Sequence, residues 1–199
     1  MLEGDFYKTI IKPSEGLYKD KGSKFIARVI HVKSVEQVRE NLSQLKKEFH
    51  DARHFCYAYR INPENETLKS SDDGEPAGTA GKPILNQILS FELYNILVVV
   101  VRYFGGTKLG VSGLIKAYKT ATLEALNTAE LVDGAITRRI NISFDYTLTN
   151  DVMKVINDAH IKIVDKNFAR HCNLILEVER KQMEKIEIRF DEIFGVIIN

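Results

Sequence analysis

An α+β protein of two domains is what the sequence predicts, on three observations. Asn95 to Tyr103 (NILVVVVRY) is apolar without alternation, as in a strand covered on both faces. Segments from about Val35, Ser112 and Thr149 repeat apolar residues at spacings of three and four, the mark of amphipathic helices. From Ile140 onward the elements run βαββαβ within about 60 residues, the split-βαβ, ferredoxin-like order. The boundary is expected in VDGAIT, near Gly134 to Thr137, giving domains 1–135 and 136–199.

The first domain opens with a β-hairpin over Tyr18 to Val32, where a Lys-Gly-Ser turn precedes the alternating Phe25, Ala27 and Val29. Ser34 then caps a helix whose apolar stripe is Val35, Val38, Leu42, Leu45 and Phe49. His54 to Ile61 (HFCYAYRI) reads as a strand that Asn62-Pro63 ends. Pro83 suits the first turn of a short helix carrying Ile84, Leu85, Ile88 and Leu89. After the central apolar strand, a helix runs from about Ser112 to Ala129. Its broad buried face is expected to combine Leu114, Tyr118, Ala121 and Ala125 with Ile115, Thr122, Leu126 and Ala129.

In the second domain, Ile140, Ile142, Phe144, Tyr146 and Leu148 alternate with polar residues, as in a strand with one wet face. Thr149 is expected to cap a helix that buries Val152, Val155, Ile156 and Ala159. Strands follow at Ile161 to Val164 and Cys172 to Val178. A helix through Met183, Ile186, Phe190 and Ile193 leads to a last strand at Val196 to Ile198.

At 199 residues and 44% apolar side chains the chain can fill a substantial core. Its 28 basic and 27 acidic residues leave a charge of +1, and neither domain carries an excess of more than one, so bulk charge announces no nucleic-acid or membrane partner. Any such site has to be local. Cys56 and Cys172 lie in apolar strand-like runs without metal-ligand spacing and read as buried thiols. The longest aliphatic run, Ile96 to Val101, is far short of the roughly 20 residues of a membrane helix. With no signal-peptide pattern, a soluble cytoplasmic protein is expected, with no membrane or DNA partner.

Two glycine-rich stretches stand out. In Arg102 to Gly113 (RYFGGTKLGVSG), Gly105, Gly106, Gly110 and Gly113 allow positive φ or close backbone approach between a buried strand and a helix N-terminus. Free amides there favour an anion, and Arg102, Lys108 and Lys116 add positive charge. The expected anion or nucleic-acid site comprises Arg102, Gly105, Gly106, Lys108, Gly110, Ser112, Gly113 and Lys116, against the alternative of a tight structural corner. The order matches neither GxxxxGK[ST] nor GxGxxG, so nucleotide hydrolysis is not supported. In Ser71 to Pro83 (SDDGEPAGTAGKP), Asp72, Asp73 and Glu75 could invite a divalent cation, but the alternating ligands of an EF-hand are missing. A solvated acidic turn, or contact between the acidic and basic loops, are the other readings.

Other chemistry is thin. His50 and His54 lack the Glu of HExxH, and Ser70, Ser71 and Ser112 lack the G-x-S-x-G elbow. His31 and His54 read as strand or surface residues. Tyr57, Tyr59, Tyr103, Phe104 and Tyr118 could supply aromatic surface beside the basic loop, as in proteins that hold single-stranded RNA, or could equally be core. No catalytic residue, metal or cofactor is assigned.

Four stretches, GSKFIA (22–27), DARHFCYAYRI (51–61), DDGEPAGTAGKPIL (72–85) and VVVVRYFGGTKLG (98–110), occur in this order and together resemble the IMPACT family in its bacterial YigZ type. The likeness covers nearly the whole chain. Ser112 departs from it, standing where the family more usually has glycine. The resemblance implies an N-terminal domain like the second domain of ribosomal protein S five, and a ferredoxin-like C-terminal domain similar to one in elongation factor G. It also implies a link to translational control, in which eukaryotic relatives compete for a ribosome-associated activator of a stress kinase. It carries over no catalytic residues.

The expected function is a non-catalytic binding protein, a translation-related regulator docking on RNA, the ribosome or a translation-related protein. The alternatives are an enzyme acting on a small phosphorylated or acidic ligand between the two loops, with Asp72, Asp73 or Glu75 as metal ligand or base, and a module that docks on protein alone.

Overall fold

The computed structural model describes residues 4–168 and 171–199. Its described residues form two compact units, residues 7–134 and residues 4–6 with 135–199. The strands and helices of the first are β1 (Phe6–Ile10), β2 (Ser14–Asp20), β3 (Ser23–His31), α1 (Val35–Glu48), β4 (His54–Ile61), β5 (Thr67–Ser71), α2 (Gly81–Ser90), β6 (Ile96–Tyr103), α3 (Gly110–Asn127) and β7 (Leu131–Ala135). β1 pairs with β7, and the other five strands form one antiparallel sheet in the order β2-β3-β6-β4-β5.

The two-residue turn between β2 and β3 is closed by Lys21 and Gly22, both at positive φ (45° and 78°), a backbone twist matched to the strands it joins. Ser34 caps α1 by accepting from the Gln37 amide. The apolar run of β6 proves to be two interleaved sets. Ile96, Val98 and Val100 enter a core under α2 and α3, whereas Leu97, Val99 and Val101 enter a second core under α1. A strand with a helical layer on each side has no wet face, so its sequence cannot alternate. Arg102 continues the first set at the end of the strand and is itself buried.

α3 lies against β2 so closely that a Cβ at Gly16 would overlap the backbone of Ala125. The Ser14 hydroxyl donates to the Ala125 carbonyl at 2.8 Å and fixes the same contact. α3 begins at Gly110, two residues before the sequence suggests, and its N-cap Leu109 makes no side-chain cap. Ser112 is therefore the third helical residue rather than a cap. Ile115, expected on the buried face, is 39% exposed, because Leu114 and Tyr118 already fill the core-facing stripe. β5 and β7 were not legible: TLKSS has a single apolar residue, LVDGA is short and broken by Asp133-Gly134, and both are held by backbone pairing.

The second unit comprises β8 (Thr137–Phe144), α4 (Thr149–Asp158), β9 (Lys162–Phe168), β10 (Cys172–Glu179), α5 (Met183–Asp191) and β11 (Ile197–Ile198). Its antiparallel sheet, in the order β11-β8-β10-β9, is ferredoxin-like, with α4 and α5 over one face. β8 stops at Phe144 rather than reaching Leu148. Asp145 accepts from the Thr147 amide and turns Tyr146–Leu148 into a 3-10 helix. That turn leads straight into α4, so Thr149 is its first residue and not its cap. Both cysteines are free and buried. Among the described residues no helix is long and apolar enough to cross a membrane.

Candidate functional site

The residues of interest gather at one end of the five-stranded sheet. Strand register aligns Phe25 of β3, Arg102 of β6 and His54 of β4 side by side on the face that carries α2 and α3. Above them, Arg102 Nη1 donates to Glu75 Oε1 at 2.6 Å, and the Tyr118 hydroxyl of α3 donates to the same oxygen at 2.8 Å. The side chains of Arg102 and Glu75 are 7% and 4% exposed. The guanidinium also lies 5.4 Å from the Phe25 ring centroid and 5.6 Å from that of Phe104. A buried pair of this kind contributes little net stability as a unit, but loss of either member leaves an uncompensated charge.

Below the pair, the Cys56 thiol lies 3.2 Å from the Tyr118 hydroxyl and 2.9 Å from the Asp72 carbonyl. Burial pushes the Cys56 thiol up to about 12, so the thiolate a nucleophile or metal ligand needs is not formed near neutrality. Burial likewise raises Tyr118 far above an ordinary phenol, with Cys56 and Glu75 adding to the effect. Both groups therefore serve as neutral hydrogen-bonding residues.

The acidic loop spends its charge on the protein itself. Asp72 Oδ1 accepts from the amides of Ala80 and Gly81 and Oδ2 from that of Gly78, each at 2.9 Å, so this carboxylate caps α2 from outside the helix. Partial burial pushes the Asp72 carboxyl up, but these three amides outweigh it and hold the group below the usual carboxylate range. Asp73 Oδ2 accepts from the Phe55 amide at 2.7 Å. The Asp73 carbonyl lies 2.9 Å from His54 Nδ1, which must then carry the proton, since a carbonyl can only accept. Asp72, Asp73 and Glu75 are thus a helix cap, a strand anchor and an ion-pair partner, and the described residues contain no cluster of three or more metal-ligating side chains. The acidic and basic loops do meet, through Glu75 and Arg102.

The basic loop divides differently. Arg102, expected to supply mobile positive charge, is sequestered by Glu75, because its place on β6 points it inward. The Gly105 amide donates to Ser23 Oγ at 3.1 Å, so it is not open to an external anion. A Cβ at Gly105 would overlap the backbone of Gly22 and Ser23, which fixes the Lys21–Gly22 turn against the loop. Gly106 and Gly110 adopt positive φ, and Gly113 packs on the Leu109 side chain. Lys21, Lys108, Ser112 and Lys116 are exposed, and none of the three lysines takes part in an ion pair among the described residues. Phe104 and Val111 are 58% and 59% exposed beside them.

Sequence reasoning missed Cys56, Ser23 and His54 as parts of this site. The signal was the pairing of HFCYAYRI with VVVVRY: alternation puts His54, Cys56 and Arg102 on one face once the strands are set side by side.

Residues 21–126 match the Impact N-terminal domain, a span that contains both loops and every residue of the Arg102 network. The chain is 32% identical over 176 residues to the IMPACT family member YvyE of Bacillus subtilis, covering 88% of this chain and 81% of that one. It is 33% identical over 150 residues to the IMPACT family member YigZ of Escherichia coli, covering 74% of each. A crystal structure described as a hypothetical protein superposes with a TM-score of 0.82 at 26% identity, covering 98% of this chain and 97% of that one. Matched in sequence along most of its length, the chain belongs to the IMPACT family.

Proposed function

We propose that the protein is a non-catalytic, cytoplasmic binding protein, a translation-related regulator that docks on RNA of the ribosome through its basic loop. The contact comprises Lys108 and Lys116 with the loop backbone at Gly106, Gly110, Ser112 and Gly113. Arg102 and Gly105 shape the loop from behind without touching the ligand.

One observation carries this reading: Lys108 of the loop and Lys116 of the first turns of α3 are exposed without ion-pair partners, while the carboxylates of the neighbouring loop are engaged internally. Unpaired cations on glycine-rich backbone suit a phosphate chain, because neutralising phosphates releases counterions and needs no deep pocket. The same observation disfavours the small-ligand enzyme, whose metal ligands or base would be drawn from Asp72, Asp73 and Glu75.

Co-sedimentation with purified ribosomes at low salt tests the proposal. Binding is expected to fall as salt rises, and the double substitution Lys108→Ala, Lys116→Ala should weaken it severalfold. If the unsubstituted protein stays in the supernatant at low salt, the proposal fails.

A further inference from the structure

Resting on the reading above, we propose that Phe104 is a stacking platform for an unpaired base of single-stranded RNA, with the flanking phosphates on Lys21 and Lys108. Of the five aromatic residues that the sequence offers as surface beside the basic loop, four are committed elsewhere. Tyr118 is fully buried under Glu75, and Tyr59 is buried in the α1-side core. Tyr57 stacks on Tyr59, with centroids 6.4 Å apart and ring planes within 3°. The Tyr103 hydroxyl donates to Asp51 at 2.7 Å, and its ring packs on the α1 side of the sheet. Phe104 alone of the five is more than a third exposed.

Its setting differs from that of an incidental surface ring. The guanidinium of Arg102 lies over the Phe104 ring, and Glu75 and Tyr118 hold that guanidinium, so the platform is braced from inside the protein. Gly105, the next residue, is pinned against the backbone of Gly22 and Ser23, so the exposed, unpaired Lys21 belongs to a turn that abuts the residue following the ring. Lys108 stands four residues further along the loop, at most about 14 Å of extended chain away. An apolar ring with exposed cations on the adjoining turn and loop is complementary to a base flanked by phosphates.

Stacking requires a base that is not enclosed in a duplex, so the ligand is single-stranded. Exposure alone does not single out Phe104, since Tyr146, Phe168 and Phe194 of the ferredoxin-like unit are also exposed; what sets Phe104 apart is the guanidinium over its ring, itself held by Glu75 and Tyr118.

Fluorescence anisotropy with the full chain decides the matter, using labelled oligouridylate and oligoadenylate of about twelve nucleotides and an RNA duplex of the same length. Single strands are expected to bind more tightly than duplex. Phe104→Ala should weaken single-strand binding about tenfold while leaving duplex binding unchanged, and Phe104→Trp should retain it. Because the ring is more than half exposed, both variants should stay folded, Phe104→Ala with at most a small fall in melting temperature from the lost contact to Arg102, which a thermal scan checks. If Phe104→Ala binds single strands as the parent does while Lys108→Ala weakens both forms, the stacking platform is wrong and the docking proposal stands. If neither form binds at low salt, both fail.

Discussion

The two glycine-rich loops lie at the same end of one sheet, and they treat charge in opposite ways. In the loop after β5, three carboxylates within four positions are drawn inward to cap α2, anchor β4 and pair with Arg102. In the glycine-rich stretch from the end of β6, Arg102 is consumed, but Lys108 in the loop and Lys116 in the α3 that follows remain exposed and unpaired. A run of like charge is thus no measure of a binding site. What matters is whether the fold supplies each charge with a partner of its own, and here the acidic loop is architecture while the outer half of the basic loop is surface.

The sharpest way to break this comparison is to exchange the roles by substitution. Arg102→Ala should cost about 3–5 kcal/mol of stability, because Glu75 is left buried without its counter-charge. Urea or guanidinium melts measure this, and a loss under about 1 kcal/mol would mean the pair is not the anchor of the acidic loop.

Asp72→Ala should follow, at about 1–2 kcal/mol, through loss of the cap on α2. Its pH dependence has a definite sign. The folded carboxyl titrates below its unfolded value, so its contribution is complete above about pH 4 and is lost as pH falls through the lower folded value. Melts across the acid range should therefore show a steeper loss of stability on acidification for the parent than for Asp72→Asn.

Lys108→Ala and Lys116→Ala should each change stability by less than about 0.5 kcal/mol, as expected of surface positions. Each should instead flatten the salt dependence of single-stranded RNA binding, by about 0.7 in the logarithmic slope. A lysine variant that unfolds the protein would erase the distinction between the loops.

The smallest signal comes from Cys56, whose raised thiol lies beneath the acidic loop. Iodoacetamide should leave it unlabelled in the native parent near pH 8 and label it faster in Arg102→Ala, where the covering loop is loosened. Peptide mass mapping reads this out, and prompt labelling of the parent would show that the loop is open.

Much of the fold was legible because each unit's main elements carry their own periodicity. HFCYAYRI is a strand over the residues the pattern marks, and Ser34 caps the helix it precedes. What escaped was the part held by partners remote in sequence. β5 is polar and exists because β4 offers its edge. α3 starts at Gly110 rather than at the hydroxyl of Ser112. Tyr146 looks like the continuation of a strand until the Asp145 cap turns the chain. At the candidate site, the glycines and lysines were readable as a cationic loop. The withdrawal of Arg102 was not, since it depends on Glu75 lying 27 residues earlier and Tyr118 descending from α3.

The sequence by itself determined the α+β class, the family, and the local grammar of caps, turns and buried strands, because those depend on residues a few positions apart. Tertiary structure alone decided which charges are spent and which are left for a partner. Burial and Coulomb attraction act through space, and a carboxylate four residues from a lysine can belong, once folded, to an arginine on another strand.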